Sequence, residues 1–430
     1  MHLPEKWKRK LAYVGIGVFA TAVVTLIILN LLPQEKRLAH DISPVSAVDS
    51  PQFCLELSSL LGPAVLKGNR IDDLENGDEI FPAMLAAIRA ARRSVDLETY
   101  IYWSGAVSDK FVAALDERAS AGVAVHVLVD WIGASKMRDS VTDRLRAAGV
   151  EFEYFHPLQW YTIDRLNNRT HRKLLIVDGR VAFTGGVGIA DDWSGDADRP
   201  DRWRDMQFRV EGPVVSQFQA VFEDNWITTT GEVLLGTDYY PMLRPAGEMA
   251  AQMFASSPEG GSENMQLMYL MAINGARSSI DLEAAYFLPD DLMIDAFERA
   301  RRRGVRIRVI VPGPYGDSQV VRDASQAMWG TMLKAGAHLY RFQPSKFHNK
   351  MMIVDDYLTI VGSANFDNRS LKLNDEANLN VFDAGFARHM TSVVDRDIAR
   401  SREVTIRQWE RRPWTRKIDD WLSSLTFSQI

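Results

Sequence analysis

Two short motifs carry most of the chemistry in this chain, His171-Arg172-Lys173 and His348-Asn349-Lys350. Each is followed by four apolar residues and then an aspartate, Asp178 or Asp355, seven positions after its histidine. With 8 histidines among 430 residues, two such motifs in matching surroundings exceed what chance supplies. On an extended strand residues i and i+2 face the same side, so each histidine points with its lysine. The aspartate has the opposite parity, and Asp178-Gly179 has the composition of a hairpin turn, which makes Asp178 and Asp355 structural residues. Lysines beside the histidines repel a cation, so the pattern argues against a metal site and calls for no cofactor.

The pattern suits a phosphoryl group, whose charge needs fixed cationic donors in a shielded site. One neutral imidazole attacks phosphorus and becomes a phosphohistidine. The other protonates the leaving oxygen and then, as a base, activates the incoming alcohol or water. Lys173 and Lys350 supply the positive charge. Each histidine needs an orienting partner on its other ring nitrogen. The candidates are Asp205, 34 residues after His171, and Glu376, 28 residues after His348. Downstream of each motif lie small residues, Gly185-Gly186 and Gly362-Ser363, where backbone can approach a phosphate closely.

The elements that must position these groups are written twice. Ala87–Glu98 recurs as Ala272–Glu283 with eight of twelve residues identical. The strand-like run after Gly122 recurs after Gly304, and Leu145–Gly149 recurs near Leu333. Helical patterns closed by glycine alternate with β-branched strands, which predicts βαβ units and a mostly parallel sheet. The expected architecture is therefore two α/β/α lobes, 69–230 and 264–430, related by a pseudo-twofold axis that brings both histidines to one pocket. Residues 33–68 form a lead-in, and the Gly/Pro/Ser-richer stretch 231–263 reads as the connection between lobes.

Leu11–Leu32 is a run of 22 residues without a charge. At 1.5 Å per residue it reaches roughly 33 Å, enough to cross a bilayer core of about 30 Å. No small-residue cleavage site follows it, so an uncleaved single-pass anchor is expected. Lys6, Lys8, Arg9 and Lys10 precede the run, while Lys36 and Arg37 follow it. By the positive-inside rule residues 1–32 comprise a cytoplasmic tip and the span, with the remainder on the extracytoplasmic side. That remainder holds 46 basic and 55 acidic residues. This acidic balance disfavours a nucleic-acid partner and with it a nuclease.

The paired motifs resemble those of the phospholipase D superfamily, which carries two His-x-Lys-x4-Asp motifs on two lobes of one fold. Residues 69 to 430 share the resemblance, and Glu98–Tyr102, Thr184–Trp193 and Asn368–Glu376 look most like bacterial cardiolipin synthases. The resemblance implies a membrane-anchored phosphatidyltransferase acting on phospholipids such as phosphatidylglycerol, with His171 as the usual nucleophile and His348 as acid and base. It also implies phosphate contacts from Gly186, Ser363 and Asn365. Gly188 departs from the family pattern, standing where an asparagine matching Asn365 is expected. The alternative within the same chemistry is a hydrolase, a phospholipase D or phosphodiesterase using water. Incubation with phosphatidylglycerol separates transfer from hydrolysis.

Overall fold

The structure, a computed structural model, describes residues 4–31, 38, 40–158, 167–257, 264–316 and 319–413. Leu32 of the expected span, Lys36 and Arg37 after it, Pro258, Gly260 and Gly261 of the connection, and the second lobe beyond Pro413 lie outside them.

Among the described residues fifteen strands form one continuous sheet. The first half contributes, from the middle outward, Leu66–Glu75, Met206–Glu211, Val181–Gly185, Leu174–Val177, Ser94–Thr99, Ala124–Asp130 and Glu151–Phe155. The second half mirrors it with Met249–Ser256, Glu376–Phe382, Leu358–Gly362, Lys350–Val354, Ser279–Ala284, Arg306–Val311 and His338–Phe342, and adds Ser401–Val404 at its edge. The halves join where Leu66–Glu75 runs antiparallel to Met249–Ser256.

The expectation of a mostly parallel sheet is corrected. Only four neighbouring pairs are parallel, two in each half, and the other ten are antiparallel. The βαβ reading holds for the outer strands of each half. Among the inner strands, Leu174–Val177 with Val181–Gly185 and Lys350–Val354 with Leu358–Gly362 are joined by tight hairpins, which impose antiparallel pairing. The stretch 231–263 is likewise more than a connection: Met249–Ser256 lies inside it and belongs to the second half's sheet. The lead-in also carries structure. Ser50 caps the helix Pro51–Leu61 by accepting from the Phe53 amide, and Phe53 and Leu57 bury against the second half.

Three apolar cores follow from strand alternation. Leu175 and Val177 face the first half's outer helices, and Met352 and Val354 face the second half's. Their neighbours Leu174, Ile176, Met351 and Ile353 face a third core shared by both halves, filled by the helices Val215–Thr230 and Ala384–Ala399. The glycines expected to close helices do so with positive φ, as at Gly122 (+85°) and Gly304 (+92°).

The N-terminal helix runs Glu5–Leu31, starting six residues before the uncharged run, so the four basic residues sit on its first turns. Its stretch Glu5–Leu26 is apolar and long enough to cross a membrane, and none of it is buried against the rest of the protein.

Candidate active site

Neither histidine lies within a regular strand. Leu174–Val177 begins just after Lys173, and Lys350 opens Lys350–Val354, so each motif sits at the N-terminal mouth of the equivalent strand of its half. The backbone there pairs across the two halves. The His171 amide donates to the Asp375 carbonyl at 2.8 Å, and the Asp375 amide donates to the Arg169 carbonyl at 2.9 Å. In the mirror arrangement the His348 amide donates to the Arg204 carbonyl at 2.9 Å, and Lys346–Phe347 pairs in parallel with Trp203–Arg204.

Asp375 precedes Glu376 and Arg204 precedes Asp205, so these ladders deliver each half's carboxylate to the other half's histidine. His171 Nδ1 lies 2.9 and 3.1 Å from the two Glu376 oxygens, and His348 Nδ1 lies 2.8 Å from Asp205 Oδ2. The acids are thus exchanged relative to their nearness in sequence. A carboxylate can only accept, so each Nδ1 carries a proton toward its acid, which leaves Nε2 as the reacting nitrogen of each ring.

The lysines fold back over their own histidines. Lys173 Nζ donates to the His171 carbonyl at 2.7 Å and Lys350 Nζ to the His348 carbonyl at 2.9 Å. Lys350 Nζ also lies 3.1 and 3.2 Å from the two His348 ring nitrogens. Both motifs are buried. Burial pushes His171 down to about 4 against the pull of Glu376, with Lys173 and Lys350 reinforcing the drop, so the imidazole is neutral at neutral pH. Burial likewise lowers Lys173 to about 7, although Glu376 supports its charge, with Lys350 adding to the drop. Glu376 is itself buried, yet His171, Lys173 and the Ser363 hydroxyl together outweigh burial and hold it down to about 2. The charges of Glu376, Lys350 and Asp205 all reach Lys173, so the two motifs share one electrostatic environment.

The small residues have other partners than a phosphate. Ser363 Oγ donates to Glu376 Oε2 at 2.5 Å, and the Ser363 amide donates to the Ala377 carbonyl. The Gly186 amide donates to the Met206 carbonyl, and a Cβ on Gly186 would meet Asp205 Oδ1 at 2.2 Å. Both positions therefore shape the beds of the two acids. Asn365 Oδ1 is buried and finds no hydrogen-bond partner among the described residues. The Gly188 departure has a steric reason, since a Cβ there would come within 2.8 Å of Ile101 Cβ.

At the far end of the sheet Asp178 accepts from the amides of Arg92, Arg93 and Ser94, and Asp355 from those of Arg277, Ser278 and Ser279. Both occupy left-handed turn positions, with φ of 54° and 55°.

The family model described as "Cardiolipin synthase, PLD-like domain" matches residues 84–226 and 269–398, one segment over each half. The chain belongs to this phospholipase D-like family. Cardiolipin synthase A of Pseudomonas putida is 33% identical over 343 residues, covering 79% of this chain and 70% of its own. Cardiolipin synthase 2 of Bacillus anthracis is 32% identical over 348 residues, covering 80% and 68%. Among solved structures, phosphatidylserine synthase of Haemophilus influenzae superposes with a TM-score of 0.64 over 88% of this chain and all of its own, at 12% identity, which speaks to fold alone. The chain is an enzyme of the phospholipase D type, a membrane phosphatidyltransferase.

Several members of this family's site in the chain escaped the sequence reading. Glu98 is buried and accepts from Thr170 Oγ1 at 2.5 Å and from Asn225 Nδ2 at 2.7 Å, bracing the residue before His171. Its counterpart Glu283 accepts from Asn349, the residue after His348. Both close the repeated twelve-residue block, so the repeat carried their signal. The Tyr100 ring meets His171 edge-on at 5.2 Å, and Trp203 and Trp193 meet His348 the same way at 4.7 and 5.6 Å. No spacing in the sequence points to these rings.

Proposed function

We propose that the enzyme joins two phosphatidylglycerol molecules into cardiolipin, releasing glycerol, through a phosphohistidine on His171. His171 Nε2 attacks phosphorus and forms the P–N bond while the bond to the departing glycerol oxygen breaks. His348, protonated on both ring nitrogens at this step, gives that oxygen its Nε2 proton and is left neutral. The headgroup hydroxyl of a second phosphatidylglycerol then loses its proton to His348 and attacks phosphorus, and the P–N bond breaks. Atoms and charge balance without a metal or cofactor. Lys173, Lys350 and the Asn365 amide hold the non-bridging oxygens.

The observation that carries this reading is the exchange of carboxylates, Glu376 on His171 and Asp205 on His348, which orients both rings through Nδ1 and leaves Nε2 as the nitrogen that reacts. The low proton affinity of His171 favours it as the nucleophile, because a neutral ring attacks and a charged one does not. We place the catalytic body on the extracytoplasmic side of a single span, because the basic residues cluster on the first turns of the N-terminal helix.

The test is incubation of the purified full chain with phosphatidylglycerol vesicles. Diphosphatidylglycerol with equimolar glycerol supports the reading, and phosphatidic acid as the only lipid product means hydrolysis and defeats it. Protease added to intact cells reports the orientation, since cleavage of the catalytic body from outside the membrane is the expected result.

A further inference from the structure

The two histidine–acid pairs are built alike but finished differently. In the second half the residue after the hairpin's terminal glycine is Ser363, whose hydroxyl donates to Glu376. The matching first-half residue is Gly186, where even a methyl group would collide with Asp205. The first half therefore has no room at this position for a donor to its own acid. The donor comes from elsewhere: the indole N–H of Trp193 reaches Asp205 Oδ2 at 2.8 Å, the same oxygen that faces His348 Nδ1 at 2.8 Å. The other carboxylate oxygen accepts from the Met206 amide at 2.9 Å. With both oxygens engaged the carboxylate cannot turn.

Trp193 is itself firmly held. It is 1% exposed and stacks on Trp203 with ring centroids 4.7 Å apart. It ends the short 3-10 turn Asp191–Trp193, whose Asp191 side chain accepts from the amides of Ala106 and Val107 at the start of the helix Ala106–Ser120. Two indoles and one carboxylate thus pack against His348.

We propose that Trp193 is the positioning residue of the His348–Asp205 pair, its indole N–H holding Asp205 in the orientation that His348 needs to act as acid and base. The proposal rests on His348 having that role in the reaction above. Trp193 acts through Asp205, to which its indole N–H donates. A buried hydrogen bond to a charged group is worth about 1.5–3 kcal/mol, which corresponds to roughly ten- to a hundredfold in rate. Removing it leaves the Asp205 charge less shared, so His348 holds its proton more tightly.

The experiment is the pH profile of kcat for Trp193→Phe in the full-length enzyme with phosphatidylglycerol vesicles. Phenylalanine keeps an aromatic ring against Trp203 and removes the donor together with one ring of the indole, a loss of bulk that Trp203→Phe shares. The other charges near His348 stay in place: Lys350, Lys346 over the Trp203 ring, and Asp192 at the Trp203 indole. The expected result is a ten- to hundredfold fall in kcat, an unchanged KM and an alkaline limb moved upward by half a unit or more. Trp203→Phe, which removes an indole N–H not bonded to Asp205, is expected to leave the limb where it is. An alkaline limb at the wild-type position in Trp193→Phe overturns the proposal, as does an equal displacement in Trp203→Phe.

Should Trp193→Phe fail to fold, the wild-type protein with nitrogen-15 in its indoles serves instead. The Trp193 N–H resonance is expected to titrate together with the alkaline limb, and a pH-independent resonance overturns the proposal. Absence of diphosphatidylglycerol from the wild-type reaction would defeat the substrate assignment, whereas the indole titration tests the positioning role without substrate.

Discussion

His171 and Glu376 lie 205 positions apart in the chain and share a hydrogen bond of 2.9 Å, while His348 and Asp205 share one of 2.8 Å across 143 positions. The exchange is enforced by main chain, since each histidine's own amide donates to the carbonyl just ahead of the other half's acid. Side-chain repacking alone cannot undo it.

Glu376→Gln is expected to slow formation of the phosphoenzyme, because the amide tolerates the wrong His171 tautomer. Asp205→Asn is expected to slow expulsion of glycerol. Each should lower kcat by about 10²–10⁴-fold, and the double variant by less than the product, because the groups act as one unit. Rapid-quench measurement of phosphoenzyme and glycerol release distinguishes the two steps.

The two histidines should separate by leaving group. His171→Ala is expected to abolish transfer from every donor and to trap no phosphohistidine after acid quench. His348→Ala should recover phosphoenzyme formation when the donor is a p-nitrophenyl phosphodiester, whose leaving oxygen needs no proton. Equal rescue of both variants would reverse the roles.

Lys173 loses its proton near pH 7 in the folded enzyme, against 10.5 for an unperturbed lysine. Between these values the unfolded chain binds more protons, so this group makes stability rise as pH increases from about 7 toward 10.5. An anion in the site pulls the proton back. Tungstate binding at pH 8 is therefore expected to take up ~1 proton, read by calorimetry in buffers of different ionisation enthalpy. Tungstate should also flatten the rise of melting temperature with pH.

Asp178 and Asp355 each gather three backbone N–H groups at turns remote from the histidines. Asp178→Ala is expected to cost about 1–3 kcal/mol of stability by stranding those donors, with kcat little changed below the new melting point. Thermal denaturation and steady-state rates on the same sample check both halves of that expectation.

Much of the site was legible in the sequence because it is duplicated. Repetition exposed His171, Lys173, His348 and Lys350, although neither histidine lies in the regular strand that the period-two argument assumed. What escaped detection depends on contacts distant in sequence. Proximity to His171 suggested Asp205, and only pairing of Lys346–Phe347 with Trp203–Arg204 shows that it serves His348. Met249–Ser256 was hidden because glycines and prolines dominate its surroundings, while its own alternation is weak. Trp193 closes the Thr184–Trp193 segment that carries the resemblance, yet its role gave no cue, since an indole that serves as a hydrogen-bond donor looks in sequence like any core aromatic.

The shared sheet also governs when this chemistry can begin. A ribosome that has released only the first 230 residues has delivered an imidazole lacking its carboxylate and a carboxylate lacking its imidazole. Competence arrives only once Glu376 has emerged and paired, so the two halves acquire their chemistry together.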